Sequence, residues 1–589
     1  MQQTKQKLNF SVLWKVIAMA RPYNRLFIIC LVLAVILAPI SSFLPYIVKN
    51  IVDHHIVAGD LNGLLLMCGL FFLVLIANVV MRYFFMYLLA ELGQNVLRDL
   101  RVKVFNHITQ LRLRYFDQTP IGTSTTRTIN DISAINEVFT QGVITILADL
   151  LAVLTVLGIM FYTSWRLTLI SLVTLPLLVW ATYIFSKKVK DSYERVRSNV
   201  ARMNAFLQER ITGMRIVQIF NAEKQEAEKF RVINRDYTSA NLDSVLYYSI
   251  FFPVVELISA ISLALMVWIG AGAYLEDKVS FGALVAFPLY LDLLFRPVRM
   301  AADKFNTLQM GLVAAERVFK LIESDEIIPN QGKVVKDHLK GKVEFKKVSF
   351  AYDEENYILH DLDFTIQPGQ TMALVGSTGS GKSTIINIMN RFYDIQKGQI
   401  LLDDIDIRDY ELNALRQRIA IVLQDVFLFD GTVYENITLK DTSISLEKVQ
   451  EAAKIIGADE YINKLPNGYQ FMVTERGSNL SVGQRQLISF VRALVIDPDI
   501  LILDEATSSI DTETELVIQH AIEKLIEKRS SIIIAHRLST IRHADFILVM
   551  DQGKAVEAGS HEDLLEKPGG RYKELYDMQY ASLTTSSEL

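Results

Sequence analysis

The chain has 589 residues, of which 51% are hydrophobic and 21% are charged, and its formal net charge is −5. At about 150 residues per domain, this length corresponds to roughly four domains, or fewer if a membrane region counts as one. The high apolar content excludes disorder as the dominant state, and the small negative charge gives no general argument for nucleic-acid binding. The two cysteines exclude a disulfide scaffold and a cysteine-based zinc cluster.

The N-terminal stretch over residues 9–21 is amphipathic and is followed by Pro22. It is either a helix that lies flat at the inner membrane interface or the first turns of a membrane span. The apolar run that follows is longer than the ~7–15 residues of a signal-peptide core. We therefore predict an uncleaved span after this segment.

Six segments are apolar enough, or nearly so, to cross a bilayer, which takes ~20 residues. We place these spans at residues 25–47, 62–88, 143–163, 166–186, 249–274 and 281–301. The connections between spans two and three and between spans four and five are long and basic, with Arg98, Arg101 and Lys187 among their residues. The three opposite connections are short and hold only Arg166 and Lys278. Because positive charge stays in the cytoplasm, we expect both termini on the cytoplasmic side of the inner membrane.

Several ionisable residues fall at membrane depth in this assignment. They are Arg82, Asp149, Glu256, Asp292, Arg296 and Arg299. Such groups usually face a bundle interior or a wet cavity, so two interpretations remain open: a polar cavity, or pairing and snorkelling between helices. Asp292 and Arg296 have i, i+4 spacing, so under the second interpretation these two residues neutralise each other.

A soluble α/β region begins near residue 341. The strand pattern KVEFKKVSFAY precedes a strand, a glycine loop and a helix in TMALVGSTGSGKSTIINIM. The loop from Gly376 to Ser383 fits G-x-x-x-x-G-K-[ST], in which backbone N–H groups and the helix N-terminus surround phosphate oxygens. Lys382 is predicted to reach the β- and γ-phosphates, and Ser383 to bind Mg²⁺.

A second acidic motif, DILILDEATSSID, reads as a buried strand that ends at Asp504 and Glu505. Open α/β sheets place their chemistry at the carboxyl ends of strands. We expect Asp504 to hold the Mg²⁺ shell and Glu505 to act as general base toward the attacking water.

Between these motifs lies LSVGQ, from Leu480 to Gln484, followed by RQLISFVRAL. This resembles the signature of ATP-binding cassette proteins, and six spans ahead of one cassette resemble an exporter half-transporter of the bacterial multidrug and lipid type. The resemblance covers residues 10 to 578. Its usual signature is L-S-G-G-Q, whereas position 482 here is Val, which cannot easily adopt φ > 0.

The resemblance implies a role for each matching residue. Gln424 contacts Mg²⁺ and the attacking water, and His536 contacts the γ-phosphate; with Glu505 they form the predicted catalytic group. The implied Mg²⁺ ligands are Ser383, Gln424 and Asp504. The implied ATP-binding residues are Tyr352, Gly376, Ser377, Thr378, Gly379, Ser380, Gly381, Lys382, Ser383, Thr384 and, from a facing cassette, Ser481, Gly483 and Gln484.

The implied fold is an all-α domain of six transmembrane helices followed by an α/β P-loop domain with a helical signature subdomain. The predicted boundaries are an N-terminal segment 1–24, a transmembrane domain 25–315, a linker 316–340, a cassette 341–578 and a tail 579–589. Short coupling helices are expected near 116–124 and 211–220. In the family, these helices pass cassette movements to the spans.

The implied function is ATP-driven export or flipping of a small amphiphilic substrate, such as a lipid, drug or hydrophobic peptide, with ATP and Mg²⁺ as cofactors. The implied partners are a second copy of the chain, or else a related half-transporter, and membrane lipid, with no nucleic acid. Two alternatives stay open: a membrane ATPase that regulates a channel or a partner without carrying substrate, and an importer with an exporter-like fold.

Overall fold

The structure is a computed structural model that describes residues 10–324, 326–353, 356–504, 512–535 and 541–585. It forms two compact units. The first comprises Met1–Thr109 and Pro120–Asp325, and the second comprises Gln110–Thr119 and Glu326–Leu589. The second unit therefore includes ten residues from within the predicted membrane region.

α-Helices account for the chain before the first strand. They are α1 (Phe10–Ala18), α2 (Asn24–Asn50), α3 (Leu61–Ile108), α4 (Leu113–Gln118), α5 (Ile121–Thr126), α6 (Ile132–Glu137), α7 (Ile144–Thr163), α8 (Trp165–Val173), α9 (Leu175–Thr212), α10 (Met214–Ile219), α11 (Glu223–Leu275) and α12 (Phe281–Ile322). All except α4 belong to the first unit. This helical unit is what membrane burial requires, because a helix satisfies its own backbone hydrogen bonds where water is absent.

Six stretches in the described residues are long and apolar enough to cross a membrane. They are Arg21–Ile56, Leu61–Ile108, Ile121–Thr163, Trp165–Thr212, Glu223–Leu275 and Phe281–Ile322. All six predicted spans are confirmed. At 1.5 Å per residue the 48 residues of α3 extend about 72 Å, well beyond a hydrocarbon core of ~30 Å.

The amphipathic N-terminal stretch forms its own helix, α1, rather than the first turns of span one. A 3₁₀ turn at Arg21–Tyr23, which contains Pro22, separates α1 from α2. Phe10 and Trp14 on α1 are exposed, while Val12 and Val16 are buried. An exposed apolar face on a separate helix is what an interfacial segment needs.

Some of the charged residues predicted at membrane depth form ion pairs within the chain. Asp149 of α7 pairs with Lys304 of α12. Asp292 pairs with Arg299 at 3.0 Å and not with Arg296, so the predicted i, i+4 pair is wrong. The guanidinium of Arg299, two turns further along α12, reaches back to the carboxylate.

The second unit contains two main sheets. Its strands are β1 (Val343–Ala351), β2 (Tyr357–Ile366), β3 (Thr371–Gly376), β4 (Lys397–Leu402), β5 (Ile405–Asp406), β6 (Ile419–Val422), β7 (Gly431–Thr432), β8 (Met472–Val473), β9 (Ile500–Asp504), β10 (Ser530–Ile534), β11 (Phe546–Asp551) and β12 (Lys554–Gly559). The larger sheet has the order β12-β11-β3-β10-β9-β6, with only β12 antiparallel to its neighbour. The smaller sheet, β2-β1-β4-β5, is antiparallel.

Helices cover the larger sheet, as a buried parallel sheet requires. They are α13 (Lys382–Met389), α14 (Leu412–Arg418), α15 (Val433–Thr438), α16 (Leu446–Ile455), α17 (Asp459–Asn463), α18 (Val482–Val495), α19 (Thr512–Ile526), α20 (His561–Glu566) and α21 (Arg571–Thr585). Alternate residues of β3 enter two cores. Met372 and Leu374 belong to the core shared with the smaller sheet, and Ala373 and Val375 to the core shared with α18. The predicted fold class is confirmed.

The two cysteines are free; Cys30 is fully buried in α2 and Cys68 is exposed on α3. We expect two thiols to titrate in denatured protein prepared without reductant, and Cys30 to resist a maleimide until the protein unfolds. Counting labels by mass spectrometry before and after denaturation checks this. Fewer than two thiols in the denatured chain would contradict the placement of spans one and two.

Candidate nucleotide-binding site

The predicted phosphate loop connects β3 to α13, and its backbone requires glycine. Gly379 and Gly381 have φ of +84° and +101°, in the left-handed region that side chains with a Cβ rarely adopt. A Cβ on Gly381 would also lie 2.7 Å from a methyl carbon of Leu359. The loop therefore holds a backbone curvature that brings its N–H groups together ahead of the helix.

Lys382 folds back over this loop. Its ammonium donates to the carbonyl oxygens of Gly376 at 2.8 Å and Ser377 at 2.9 Å. The side chain is buried, and burial lowers the pKa of Lys382, an effect that the carboxylate of Asp504 opposes. The carbonyl oxygens of the loop thus hold the Lys382 ammonium in the loop that is predicted to bind phosphate.

The residues after Lys382 differ in exposure. Ser383, the second residue of α13, is exposed, whereas Thr384 is buried. The hydroxyl of Tyr352 donates to that of Thr384 at 3.4 Å and accepts from the amide of Asn387 at 3.0 Å. The ring of Tyr352 packs edge-on against Tyr393, with centroids 4.9 Å apart. Sequence reasoning missed Asn387, although its position one turn after Ser383 on α13 was a usable signal.

Two of the predicted Mg²⁺ ligands, Gln424 and Asp504, lie at one edge of the larger sheet. Parallel pairing brings the ends of β3, β6, β9 and β10 to the same side. Asp504 ends β9, opposite Ile534 on β10, and the exposed Gln424 lies two residues beyond β6. Glu505 and His536 lie outside the described residues, as do Ser508 to Asp511.

The signature residues form the start of α18. The hydroxyl of Ser481 accepts from the backbone N–H of Gln484 at 3.2 Å, and the side chain of Gln484 accepts from the N–H of Ser481 at 2.9 Å, which is a capping box. Val482 is the first helical residue, with no positive φ, so the β-branched side chain fits without strain. Arg485, which sequence reasoning missed, donates to the carbonyls of Gly477 and Leu480 and so fixes the preceding loop.

The structure does not bring the signature and the phosphate loop of one chain together. Within the described part of the chain, no hydrogen bond or ion pair joins Ser481, Gly483 or Gln484 to the loop from Gly376 to Ser383.

The short helix α4 packs within the second unit. Tyr393 donates a hydrogen bond from its hydroxyl to the carboxylate of Asp117 on α4. The guanidinium of Arg112 donates to the carbonyl oxygen of Ile327 at 3.2 Å. The stretch near 116–124, predicted as one short helix, is divided between two: α4 covers Leu113–Gln118, and α5, with Pro120 as its N-cap, covers Ile121–Thr126. The second predicted short helix is present as α10.

Comparison with known proteins identifies the family of the chain. Residues 27–298 match the family model described as the ABC transporter transmembrane region, and residues 359–508 match the one described as ABC transporter. An uncharacterized ABC transporter ATP-binding protein of Bacillus subtilis, YknV, is 38% identical over 98% of this chain and 96% of its own length. The chain belongs to the ABC transporter family.

Other relatives of this ABC transporter are named as a flippase, a multidrug resistance transporter and an exporter. An ATP-dependent lipid A-core flippase of Desulfotalea psychrophila is 34% identical, covering 95% of this chain and 97% of its own. YheH of Bacillus subtilis, a probable multidrug resistance ABC transporter, is 38% identical over 88% of this chain and 77% of its own. A bacterial Atm1-family ABC exporter solved with ATP bound has a TM-score of 0.77 and 30% identity, covering 94% of this chain and 98% of its own. The chain is a multi-pass membrane ATPase that couples ATP hydrolysis to transport.

Replacing Lys382 with Ala should remove the charge that the loop carbonyls hold for phosphate. We expect ATPase activity to fall by at least ~100-fold, the scale of losing a charge stabiliser in a dry site, while membrane insertion and assembly persist. Steady-state phosphate release from purified protein measures this, and Lys464→Ala, at an exposed cassette lysine, is the control. Near-normal hydrolysis by the Lys382 variant would refute the phosphate-loop assignment.

Replacing Val482 with Gly restores the common signature. Because Val482 already has helical backbone angles, we expect ATPase activity to stay within about twofold and the free energy of unfolding to fall by less than ~1 kcal/mol, the usual cost of glycine in a helix. A large gain in activity would mean that Val482 strains the loop in the working state.

Proposed function

We propose that the chain exports or flips an amphiphilic compound across the inner membrane as a homodimer. The main observation behind this proposal is that one chain has one phosphate loop and one signature, and that no hydrogen bond or ion pair joins the two among the described residues. The relatives that are named for multidrug resistance and for lipid A-core support an amphiphilic substrate. The basic connections between spans support a cytoplasmic position for both termini and the cassette.

In this proposal, ATP lies between two copies. Lys382 exchanges the carbonyls of Gly376 and Ser377 for phosphate oxygens, and Ser481 and Gly483 of the other copy close the site. The exposed hydroxyl of Ser383, the amide of Gln424 and the carboxylate of Asp504 are oxygen donors of the kind that Mg²⁺ prefers. When bound there, Mg²⁺ would neutralise phosphate charge.

Catalysis is assigned to residues just beyond two strand ends. Glu505 follows β9 directly and is proposed to take a proton from the attacking water, while His536 steadies the γ-phosphate. Closure of two cassettes would turn the membrane cavity from one side to the other. Export then follows because ATP binds the closed state more tightly than the open one.

The exposed membrane-depth charges divide into two groups. Asp149 and Asp292 are paired within the chain, to Lys304 and Arg299, which favours a structural role. Arg82, Glu256 and Arg296 are exposed in the single chain. We assign this second group to the cavity, or to the face of a second copy that encloses it.

Replacing Glu505 with Gln in the chain expressed alone tests the homodimer. We expect a dimer that occludes two nucleotides and hydrolyses ATP 10²–10⁴-fold more slowly, the range for losing a general base. Nucleotide counting after gel filtration, together with light scattering, measures both quantities. One nucleotide per complex, or a monomer with full wild-type activity, would overturn the symmetric model.

Transport direction separates the remaining alternatives. In inverted vesicles, an exporter takes up substrate when ATP is added outside, whereas an importer loses it and a regulator changes conductance without accumulation. We expect ATP-dependent uptake that the Glu505→Gln variant lacks. A lipid, drug and peptide panel tested for ATPase stimulation then narrows the substrate.

The contact between Tyr393 and Asp117 is proposed to pass cassette movement to the membrane unit. Replacing Tyr393 with Phe removes a hydrogen bond to a charged group, which is worth ~1.5–3 kcal/mol. We expect ATPase activity to stay within about twofold, while substrate transport falls by about tenfold or more. Parallel assays of phosphate release and vesicle uptake measure the two rates.

Tyr469→Phe is the matched control. Tyr469 donates a hydrogen bond to Asp459 at 2.6 Å inside the cassette. The Tyr469→Phe variant therefore loses the same kind of bond at a place away from α4. This variant should leave the ratio of transport to hydrolysis unchanged. Equal loss of that ratio in both variants would assign the effect to cassette stability rather than to coupling.

A further inference from the structure

An apolar groove of about 300 Å³ opens on the surface of the first unit, where α2, α3 and α7 meet. Its lining residues are Pro39, Ile40, Phe43, Leu73, Val74, Ala77 and Ile159. The nearby amide of Asn78 is already used, since it donates to the hydroxyl of Ser41 at 2.7 Å. The groove therefore offers a ligand only apolar contacts.

Beyond the groove, the surface of α2 carries an aromatic residue, Tyr46, and then the cationic side chain of Lys49. Phe43 stacks on Tyr46 with ring centroids 5.4 Å apart, and the ammonium of Lys49 lies 5.7 Å from the centroid of Tyr46. The spacing of three residues makes each of these side chains a neighbour of the next along the helix surface. On α7, Tyr162 lies 6.3 Å from Tyr46 and is one turn beyond the groove residue Ile159. The surface thus changes from apolar through aromatic to positive.

This gradient ends where the membrane surface is expected. Lys49 lies two residues beyond the predicted end of span one at residue 47, just before α2 continues into a π-helix at Ile51–Ile56, and Tyr162 lies one residue before the end of α7 at Thr163. Tyrosine rings and lysine side chains favour the headgroup level of a bilayer. Among the described residues, no carboxylate comes within ion-pair distance of Lys49. Its charge is available to an anion from outside the chain.

We propose that the groove binds one acyl chain of an anionic phospholipid and that Lys49 selects its headgroup. Lipid chains are as apolar as the groove, so association in the bilayer gains no hydrophobic driving force. The bound acyl chain instead fills the groove, whose lining residues would otherwise lose dispersion contacts. Selectivity must then come from the charge at the groove's outer end, where the Lys49 ammonium attracts a headgroup that carries a net negative charge.

The test compares phosphatidylglycerol with phosphatidylcholine carrying identical acyl chains. Native mass spectrometry of the detergent-purified full chain, titrated with each lipid, gives the ratio of the two affinities. We expect a preference for phosphatidylglycerol that Lys49→Gln lowers by about fivefold, the usual contribution of one lysine near a membrane surface. Lys278→Gln, at the same end of the bundle but paired with Glu276, should leave the ratio unchanged.

Ala77→Phe fills the groove and tests the acyl chain separately. We expect it to lower the occupancy of both lipids without changing their ratio, and Ile159→Phe serves if the first variant fails to assemble. An unchanged ratio in Lys49→Gln overturns the proposal. A groove variant that keeps its lipid but loses transport also overturns the proposal, because it assigns the groove to the transported substrate. A groove variant that keeps its lipid but runs as a monomer overturns it too, because it assigns the groove to an interface between copies.

Discussion

Parallel pairing of β3, β10, β9 and β6 is the constraint on which the ATPase half depends. It brings the ends of strands that are far apart in sequence to one edge, so the phosphate loop, Asp504 and the segment of Gln424 share a side. Each of these strands is buried on both faces, which makes the edge rigid. The loop from Gly376 to Ser383 can then hold an unusual backbone conformation, because the elements before and after it cannot shift.

The membrane half has a different constraint: its backbone N–H and C=O groups must form hydrogen bonds with each other, because water is absent from the bilayer core. The result is long, continuous helices, and polar side chains at depth find partners on neighbouring helices. Asp149 with Lys304 and Asn78 with Ser41 are examples. The charges left exposed are then informative, because exposure at depth is costly unless a cavity, a lipid headgroup or a second chain takes them up.

The proposed site and the proposed lipid groove share a physical feature, since each has a lysine ammonium where an anion is proposed to bind. In the cassette, the Lys382 ammonium is held by loop carbonyls. At the outer end of α2, Lys49 rests near an aromatic ring rather than a carboxylate. In both places the structure leaves room for an anion supplied from outside.

The sequence by itself determined the six spans, the order of the two units and the motif positions, because hydrophobic runs and glycine spacing are local signals. The partners were decided by tertiary structure. Asp292 pairs with Arg299 instead of Arg296, and Tyr393 donates to Asp117, which is 276 residues away in the sequence. Val482 fits because it is the first residue of α18 and has no positive φ. Periodicity tells which face of an element is buried, but only the packed chain determines which distant side chain that face contacts.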